Sequence, residues 1–343
     1  MTAASLLFCC AAVLAPSAAP APRGLEVAFV DVEGGAAVLI VTPAGESVLI
    51  DSGFPLARDA ERILKAAASL GLKRIDHHLI THWHLDHYGA TALVAEKLPI
   101  GRFYNRGVPD KLAEDAKFPE RIAAYQKACG GKSTALKPGD EIPLAADPSG
   151  KTPAVRMRVL AAGGETVSAK NTASGCDAHP AKPEDRSDNA RSVAVLVTFG
   201  DFRFLTCGDL TWNIEHKLVC PENVVGTVDV YMVTHHGMNI SNNPALVRAV
   251  SPRVTVMCNG PAKGGHPDVL KLIREVPGIE ANYQIHRNLF VPKELNTDPA
   301  LTANVAESAA CEGHGIRLTV APDGRTYTVA VEGKEGSRTF RTK

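Results

Sequence analysis

The sequence has no excess of charge of either sign. Among its 343 residues, Lys and Arg together number 37, and Asp and Glu together also number 37. A protein that collects nucleic acid through its phosphates needs a broad positive field. The charge balance therefore gives no strong signal for nucleic acid as a partner, and we expect a small-molecule or cell-envelope substrate.

Long apolar stretches are scarce as well. No segment after residue 22 approaches the roughly 20 apolar residues that span a bilayer. At the N-terminus, an apolar stretch over residues 3–14 precedes a small, Pro-rich segment over residues 15–22. We expect residues 1–22 to be a signal peptide and the protein to be exported to the periplasm or the outside of the cell. The alternative is a cytosolic protein with a disordered Ala/Pro-rich tail.

Closely spaced cysteine pairs are absent. Two of the eight cysteines, Cys9 and Cys10, lie in the apolar N-terminal stretch, and the others include no Cys-x-x-Cys pair. This absence argues against a structural zinc knuckle. The even number of remaining cysteines permits disulfide bonds in an oxidising compartment, and the pairing stays open.

No repeat and no linker-like tract divides the chain, so we expect one catalytic domain over residues 23–343. Two halves that each run from strands into helices predict an α/β fold, a four-layer αββα sandwich. Residues 130–188 are rich in Gly, Pro, Ser and Asp and are predicted to be loop-rich and to carry specificity. The predicted strands cover residues 25–32, 37–41, 47–50, 79–80, 193–197, 202–206, 228–234, 253–258, 315–320 and 326–331, and the predicted helices cover residues 58–70, 89–98 and 111–129 and begin again at 244 and 267.

A run of metal-ligand residue types follows one predicted strand. Residues 81–87 read Thr-His-Trp-His-Leu-Asp-His. In an extended or tightly looped segment, His82 and His84 can point the same way, while Asp86 and His87 reach a second position a few ångströms further on. These ligands suit two adjacent divalent ions, zinc first, with manganese or iron as alternatives.

Two further motifs stand at the ends of apolar strands, where ligand groups collect in layered α/β folds. Asp209 follows Gly208, and a carboxylate there can bridge two metals. His235 and His236 follow another strand. Since neighbouring side chains on an extended segment point oppositely, we expect His236 to ligate and His235 to contact substrate or a ligand.

Two other residues complete the predicted site. Asp51 follows a strand and is predicted to orient a ligand histidine through a hydrogen bond, with a simple turn carboxylate as the alternative. His266 precedes Pro267 at a helix start and can help to bind an anion, or it is a surface-loop histidine. We expect Asp86, His235 and His266 to take part in catalysis.

These motifs, in this order, resemble those of metallo-β-lactamase-fold hydrolases, and in particular the C-terminal domain of ComEC competence proteins and the choline-phosphate esterases. The resemblance implies that His82 and His84 hold one metal and that Asp86 and His87 hold the other. It also implies that Asp209 bridges them and that His235 or His236 completes the second site. The matching motifs are Asp-Val-Glu-Gly-Gly-Ala at 31–36, Leu-Ile-Asp-Ser-Gly at 49–53, Thr-His-Trp-His-Leu-Asp-His at 81–87, Asp-Asn-Ala-Arg-Ser at 188–192, Cys-Gly-Asp-Leu at 207–210, Val-Thr-His-His-Gly at 233–237 and Gly-His-Pro at 265–267.

One position departs from the pattern of many superfamily members, which supply a third histidine to the first metal. Between His87 and Asp209 this chain has only His179. The nearer resemblance has an Asn-x-x-Ser element in this region, matched by Asn189 and Ser192. These three residues are therefore expected to lie beside the metals or to contact substrate, and the first metal site is expected to be the weaker one.

The predicted reaction is hydrolysis, because two adjacent metal ions can generate a bound hydroxide near neutral pH and polarise a substrate oxygen. Neither a Gly-x-Ser-x-Gly nor a Gly-x-x-x-x-Gly-Lys-Ser motif competes with this interpretation. The resemblance favours phosphodiester or phosphoester bonds. Lactone or β-lactam hydrolysis is the alternative reaction, and a non-catalytic metal-binding module of the same fold is the alternative class.

Overall fold

The structure is a computed structural model, and it describes residues 22–168, 181–306 and 311–343. All but the last residue of the predicted signal peptide lie outside this part of the chain, as do Cys176 and His179. Within the described ranges, no helix combines the length and the apolar character needed to cross a membrane.

The described chain forms two large β-sheets and the helices that cover them. In chain order the strands are β1 (Leu25–Phe29), β2 (Val38–Val41), β3 (Ser47–Ile50), β4 (Ile75–Leu79), β5 (Ile100–Asn105), β6 (Thr134–Ala135), β7 (Glu141–Ile142), β8 (Val155–Ala162), β9 (Glu165–Thr166), β10 (Ala194–Phe199), β11 (Phe202–Thr206), β12 (Val230–Met232), β13 (Val254–Met257), β14 (Ala281–His286), β15 (Thr302–Asn304), β16 (Ile316–Val320), β17 (Thr326–Val331) and β18 (Ser337–Arg341). The α-helices are α1 (Ala57–Ser69), α2 (Leu85–Tyr88), α3 (Thr91–Ala95), α4 (Phe118–Ala128), α5 (Trp212–Lys217), α6 (Pro244–Val250) and α7 (Pro267–Glu275).

Each sheet combines an antiparallel part with a parallel part. The first sheet has the order β18-β17-β16-β1-β2-β3-β4-β5-β6 and is parallel from β3 to β6. The second has the order β15-β14-β13-β12-β11-β10-β8-β7, with β9 paired to β8, and is parallel from β11 to β15. Because parallel strands end at the same edge, the loops after β3 and β4 and those after β11, β12 and β13 can meet.

The two sheets pack face to face through alternate residues of their strands. In β2, Val38 and Ile40 belong to the core between the sheets, whereas Leu39 packs outward with Ile63 of α1. This alternation follows the two-residue period of a strand. Helices α6 and α7 cover the outer face of the second sheet in the same way. The predicted four-layer αββα sandwich is confirmed.

The loop-rich prediction for residues 130–188 is wrong for one segment. The eight-residue strand β8 lies inside the second sheet between β7 and β10. Its buried Met157 and Val159 alternate with the exposed Arg156 and Arg158. That period of two is a strand signal, which the surrounding Gly, Pro and Asp residues obscured. The helix predicted over residues 111–129 is also shorter, because it begins only at Phe118, just before Pro119.

Candidate metal centre

The predicted ligand residues come together at one edge of the sandwich, and they come from both sheets. Residues 81–87 follow β4 of the first sheet, whereas Asp209 and the His235-His236 pair follow β11 and β12 of the second. These residues lie far apart in sequence. The site therefore exists only once the two sheets have packed.

Four buried side chains form the centre of the site: Asp86, His87, Asp209 and His236, each with a ligand atom within 4.8 Å of the others. His87 Nε2 lies 3.3 Å from Asp209 Oδ2 and 3.2 Å from His236 Nε2. His236 Nε2 lies 3.2 Å from Asp86 Oδ2 and 3.4 Å from Asp209 Oδ2. We call this group the four-residue cluster.

The Nδ1 atoms of His87 and His236, which point away from the cluster, are already hydrogen-bonded. His87 Nδ1 lies 2.8 Å from Asp51 Oδ2, and His236 Nδ1 lies 2.8 Å from the Cys258 carbonyl oxygen. A carboxylate and a carbonyl only accept hydrogen bonds, so both Nδ1 atoms donate. In neutral imidazoles, both Nε2 lone pairs then face the two cluster carboxylates. Such a set of converging acceptors fits a divalent cation.

Asp51 also holds His82 through Thr81. Asp51 accepts hydrogen bonds from the Thr81 N–H and hydroxyl, both at 2.8 Å, and the Thr81 hydroxyl oxygen lies 3.1 Å from His82 Nδ1. Since the Thr81 proton goes to Asp51, its oxygen accepts from His82. His82 Nε2 is buried without a hydrogen-bond partner among the described residues and lies 3.9 Å from Asp209 Oδ2. A buried lone pair beside a carboxylate offers a second position for a cation.

His84 lies beside His82 but outside the four-residue cluster. The two ring centroids are 4.7 Å apart, yet His84 Nε2 lies 3.2 Å from Glu114 Oε1. His84 is partly exposed, whereas His82 is fully buried. The structure therefore does not bring the predicted ligand atom of His84 into the cluster.

The expectation that His235 and His236 point in opposite directions is wrong. Both have left-handed backbones, with φ of 53° and 54°, so the segment is a tight turn and not an extended strand. As a result both imidazoles approach the same atom, since His235 Nε2 lies 3.3 Å and His236 Nε2 3.4 Å from Asp209 Oδ2. His235 Nδ1 lies 3.0 Å from Ser241 Oγ, which fixes its ring. Strained turns of this kind are frequent at functional sites.

Gly208 permits the close approach of Asp209 to the first sheet. A Cβ atom on Gly208 would lie 2.8 Å from the Cβ of Thr81, and its φ of 53° also favours glycine. The Ser192 hydroxyl accepts a hydrogen bond from the Asp209 N–H at 3.1 Å. The position of Asp209, which the sequence predicts to bridge two metals, is thus fixed by the small size of Gly208 and by the hydrogen bond of the Asp209 N–H to Ser192.

The electrostatics of the site keep the two carboxylates of the four-residue cluster, Asp86 and Asp209, ionised. Burial by itself raises the pKa of Asp209, but His235, His87 and His236 outweigh burial and hold that pKa well below its usual range. Burial lowers the pKa of His87, yet Asp209, Asp86 and Asp51 together raise it well above its usual value, so without a metal His87 holds a proton on Nε2 that a bound cation would displace. Burial also lowers the pKa of His235 to about 4, so this imidazole is neutral at pH 7.

The remaining predicted site residues differ in where they lie relative to the four-residue cluster. Asn189 is buried, and its Oδ1 atom has no hydrogen-bond partner within the described ranges. His266 caps helix α7, because its Nδ1 accepts a hydrogen bond from the Asp268 N–H at 3.2 Å. None of its described contacts reaches the four-residue cluster. The prediction for His179 falls outside the described residues.

Sequence reasoning missed Lys263, whose ammonium forms an ion pair with Asp86 and lies 5.6 Å from the centroid of the Phe54 ring. Lys263 lies in the loop after β13, at the same kind of strand end that identified the other motifs. That rule, applied to β13, would have found it. Glu114, the partner of His84, carries no such signal because it lies outside regular structure.

Fold and site together define a class of protein: an αββα sandwich with a candidate divalent-metal centre of His and Asp side chains at the ends of its strands. Residues 30–162 match the metallo-beta-lactamase superfamily. That segment carries Asp51 and residues 81–87. The described architecture, two large sheets covered by helices, matches the metallo-beta-lactamase fold.

Solved structures with a similar fold include YhfI of Bacillus subtilis, with 14% sequence identity, 76% of this chain and 96% of that chain covered, and a TM-score of 0.47. They also include CmlA, a diiron beta-hydroxylase from Streptomyces venezuelae, with 16% identity, 77% of this chain and 53% of that chain covered, and a TM-score of 0.44. No curated protein matches this chain. These similarities concern the fold and identify no substrate.

Proposed function

We propose that this protein is an exported metal-dependent hydrolase that acts on phosphodiester or phosphoester bonds. The observation that carries the proposal is the four-residue cluster, in which two carboxylates and two imidazole Nε2 atoms converge. The Nδ1 atoms of both imidazoles are already hydrogen-bonded, to Asp51 and to the Cys258 carbonyl oxygen. A hydrolase for lactones or β-lactams, which is the alternative, would use the same cluster. The side chains around the cluster therefore decide between the substrates.

Two sets of residues would hold two divalent ions, for which zinc is our first choice. Asp86, His87 and His236 would hold one ion, and His82 would hold the other, with Asp209 between them. His84 and His235 lie next to the second set and can join it. Bound divalent ions would polarise a substrate oxygen and lower the pKa of water at the site.

Lys263 supports an anionic substrate. Its ammonium is the charge partner of Asp86. When Asp86 is engaged as a ligand, Lys263 can pair with a phosphate oxygen instead. A lactone ring has no anionic group next to its scissile bond and gains less from this lysine. The resemblance to ComEC and to choline-phosphate esterases also supports a phosphodiester.

A panel of chromogenic substrates tests the proposal: a bis-aryl phosphate, an aryl phosphate monoester, an acyl lactone and a cephalosporin. We expect the zinc-supplemented protein to hydrolyse a phosphate ester fastest. We expect Asp209→Asn to lower this turnover by at least about 100-fold, while Asp201→Asn, at an exposed turn, leaves it unchanged. Lactone or cephalosporin turnover with inert phosphate esters would contradict the substrate class. Bound metal with no turnover of any substrate would support the non-catalytic module.

Export is part of the proposal, and the N-terminal apolar stretch supports it. Expression of the full-length chain in a Gram-negative host, followed by fractionation and N-terminal sequencing, tests it. We expect a mature protein in the periplasm that begins close to residue 23. An uncleaved chain in the cytosolic fraction would contradict export and leave the hydrolase proposal standing.

A further inference from the structure

A second group of ligand types lies outside the four-residue cluster and shares no residue with it. Asp31, His286 and Cys311 each offer a ligand atom within 4.8 Å of the other two. His286 Nε2 lies 2.8 Å from Asp31 Oδ1, and Cys311 Sγ lies 3.3 Å from Asp31 Oδ2. Asp31 and His286 are buried, and Cys311 is half-buried.

The arrangement does not suit a cysteine nucleophile. A catalytic cysteine needs a base at its sulfur, and that base is usually a histidine whose other nitrogen is held by a carboxylate or amide. Here the order is different, because Asp31 stands between His286 and Cys311 and contacts both. The imidazole makes no hydrogen bond to the Cys311 sulfur among those described.

Donors surround the group and hold it in place. Arg62 donates to Asp31 Oδ2 at 2.9 Å and to the Cys311 carbonyl oxygen at 3.0 Å. Burial and Asp31 raise the pKa of the Cys311 thiol to about 11 against the Gly313 N–H, which lies 3.3 Å from Sγ, so the thiol keeps its proton until a cation binds. Asn304 Nδ2 lies 3.4 Å from Asp31 Oδ2. These contacts fix the three ligand atoms before any ion binds.

A cavity of about 330 Å³ gives access to the group. His286 and Cys311 line it, together with Asn304 and the carboxylates of Glu33 and Glu312. Lys334 also lines this cavity, but the cavity's two carboxylates can attract a cation and provide a further oxygen ligand.

We propose that Asp31, His286 and Cys311 bind one divalent ion of the zinc type, at a site separate from the candidate metal centre. One sulfur, one nitrogen and one oxygen ligand form a set that zinc accepts and that calcium or magnesium disfavours. On binding, the Cys311 S–H bond breaks, a sulfur–metal bond forms and the proton passes to solvent. Without an ion, His286 Nε2 donates its proton to Asp31; on binding this proton moves to Nδ1, and Nε2 offers its lone pair to the ion. The ion then joins the end of β1, the end of β14 and the loop before β16.

Cobalt substitution tests this proposal without any activity measurement. No cysteine sulfur belongs to the four-residue cluster, so among the ligand groups of the described residues a sulfur-to-cobalt charge-transfer band in the near ultraviolet reports the second one. We expect the cobalt-loaded full-length protein to show this band and Cys311→Ser to lose it, together with about one bound ion per chain. Cys129→Ser, which removes another free and buried thiol, should keep the band.

Three outcomes overturn the proposal: no charge-transfer band in the cobalt-loaded protein, a band that persists in Cys311→Ser, or a band that persists in His286→Gln. The last variant covers the case in which Cys311→Ser fails to fold, and circular dichroism checks both. Asp209→Asn should keep the band while it loses metal from the four-residue cluster. Failure of the proposed hydrolase function is thereby distinguished from failure of this site.

Discussion

Asp51 contributes no atom to the four-residue cluster, yet its two oxygens orient two imidazoles. It accepts from His87 directly, and it takes the Thr81 hydroxyl proton so that the Thr81 oxygen can accept from His82. Both histidines thereby carry their proton on Nδ1 and turn an Nε2 lone pair inward. A buried carboxylate in this position sets the tautomer of its neighbours, and metal ligands commonly depend on such partners.

Asp51→Asn should therefore weaken metal binding more than its small change in shape suggests. An asparagine amide donates a hydrogen bond to His87 Nδ1, which moves the ring proton to Nε2 and removes the ligand lone pair. We expect the metal dissociation constant to rise about 10- to 100-fold. Competition with a chromogenic chelator measures it, with Asp201→Asn as the control. An unchanged dissociation constant would contradict this role.

Lys263 is the charged side chain that most directly separates an anionic phosphate ester from a neutral lactone. Lys263→Gln should raise the KM for a phosphate diester about 5-fold, since one charge contact at a partly exposed site contributes about 1 kcal/mol. The KM for any lactone should change little. Steady-state kinetics on both substrates measure this, with Lys271→Gln, at an exposed position of helix α7, as the matched control. Equal changes for both substrates would contradict a role in recognising phosphate.

Among the structural elements, the left-handed turn after β12 determines which way the two histidines face. Gly237 continues it, with φ of 81°, and a Cβ atom there would lie 2.8 Å from Met257 Sδ. Gly45 has the same φ of 81°, but a Cβ atom there would meet nothing within 4 Å. Alanine substitutions at these two positions therefore separate the energetic cost of backbone strain from the cost of side-chain crowding.

Gly45→Ala should cost about 1 kcal/mol of unfolding free energy through backbone strain alone. Gly237→Ala should cost about 1–2 kcal/mol more, because Met257 has to move in a packed interior. It should also weaken metal binding, since His236 precedes Gly237. Chemical denaturation of both variants and metal titration test this. Equal destabilisation, with unchanged metal binding, would count against the importance of the turn.

A buried glutamate connects two of the helices on the second sheet. Glu215 of α5 accepts a hydrogen bond from the Asn243 N–H at 2.7 Å, and the Asn243 side chain caps α6. Burial raises the pKa of Glu215 from 4.5 to about 7. Between these values the folded protein holds a proton that the unfolded chain has released. The unfolding free energy therefore falls as the pH rises through this window.

Glu215→Gln should remove this fall of the unfolding free energy with rising pH. Relative to the parent protein, the variant should gain about 3 kcal/mol of unfolding free energy between pH 4.5 and pH 8, since one pKa unit corresponds to about 1.4 kcal/mol. Urea denaturation at several pH values measures the gain. Glu96→Gln, at an exposed position, should show no such trend. A constant difference between Glu215→Gln and the parent would show that Glu215 does not hold the proton.

At the scale of the whole molecule, the sequence predicts the parts of the site that depend on local patterns. Motifs that stand at strand ends were found because apolar strands and polar ligand types are visible locally, as in residues 81–87 and at Asp209. The direction in which the His235 and His236 side chains point could not be predicted, because a left-handed backbone at a non-glycine residue has no sequence signal. The same holds for Asp31, His286 and Cys311, which approach one another only after the two sheets have packed.

The packing of the sheets also makes the four-residue cluster a link between them. Asp86 and His87 follow a strand of the first sheet, and Asp209 and His236 follow strands of the second. An ion held by all four therefore joins both halves of the sandwich. Any ion that binds only the folded state adds to its stability.

The metal content of the Cys311→Ser protein tests the central claim most directly, because this variant leaves the four-residue cluster and its neighbours as the metal site under test. Elemental analysis after purification with added zinc and dialysis against metal-free buffer gives the number of ions per chain. We predict about one to two zinc ions per chain, falling below about half an ion when Asp209→Asn is added. Less than about a tenth of an ion per chain in a folded Cys311→Ser protein would contradict a metal centre at this site.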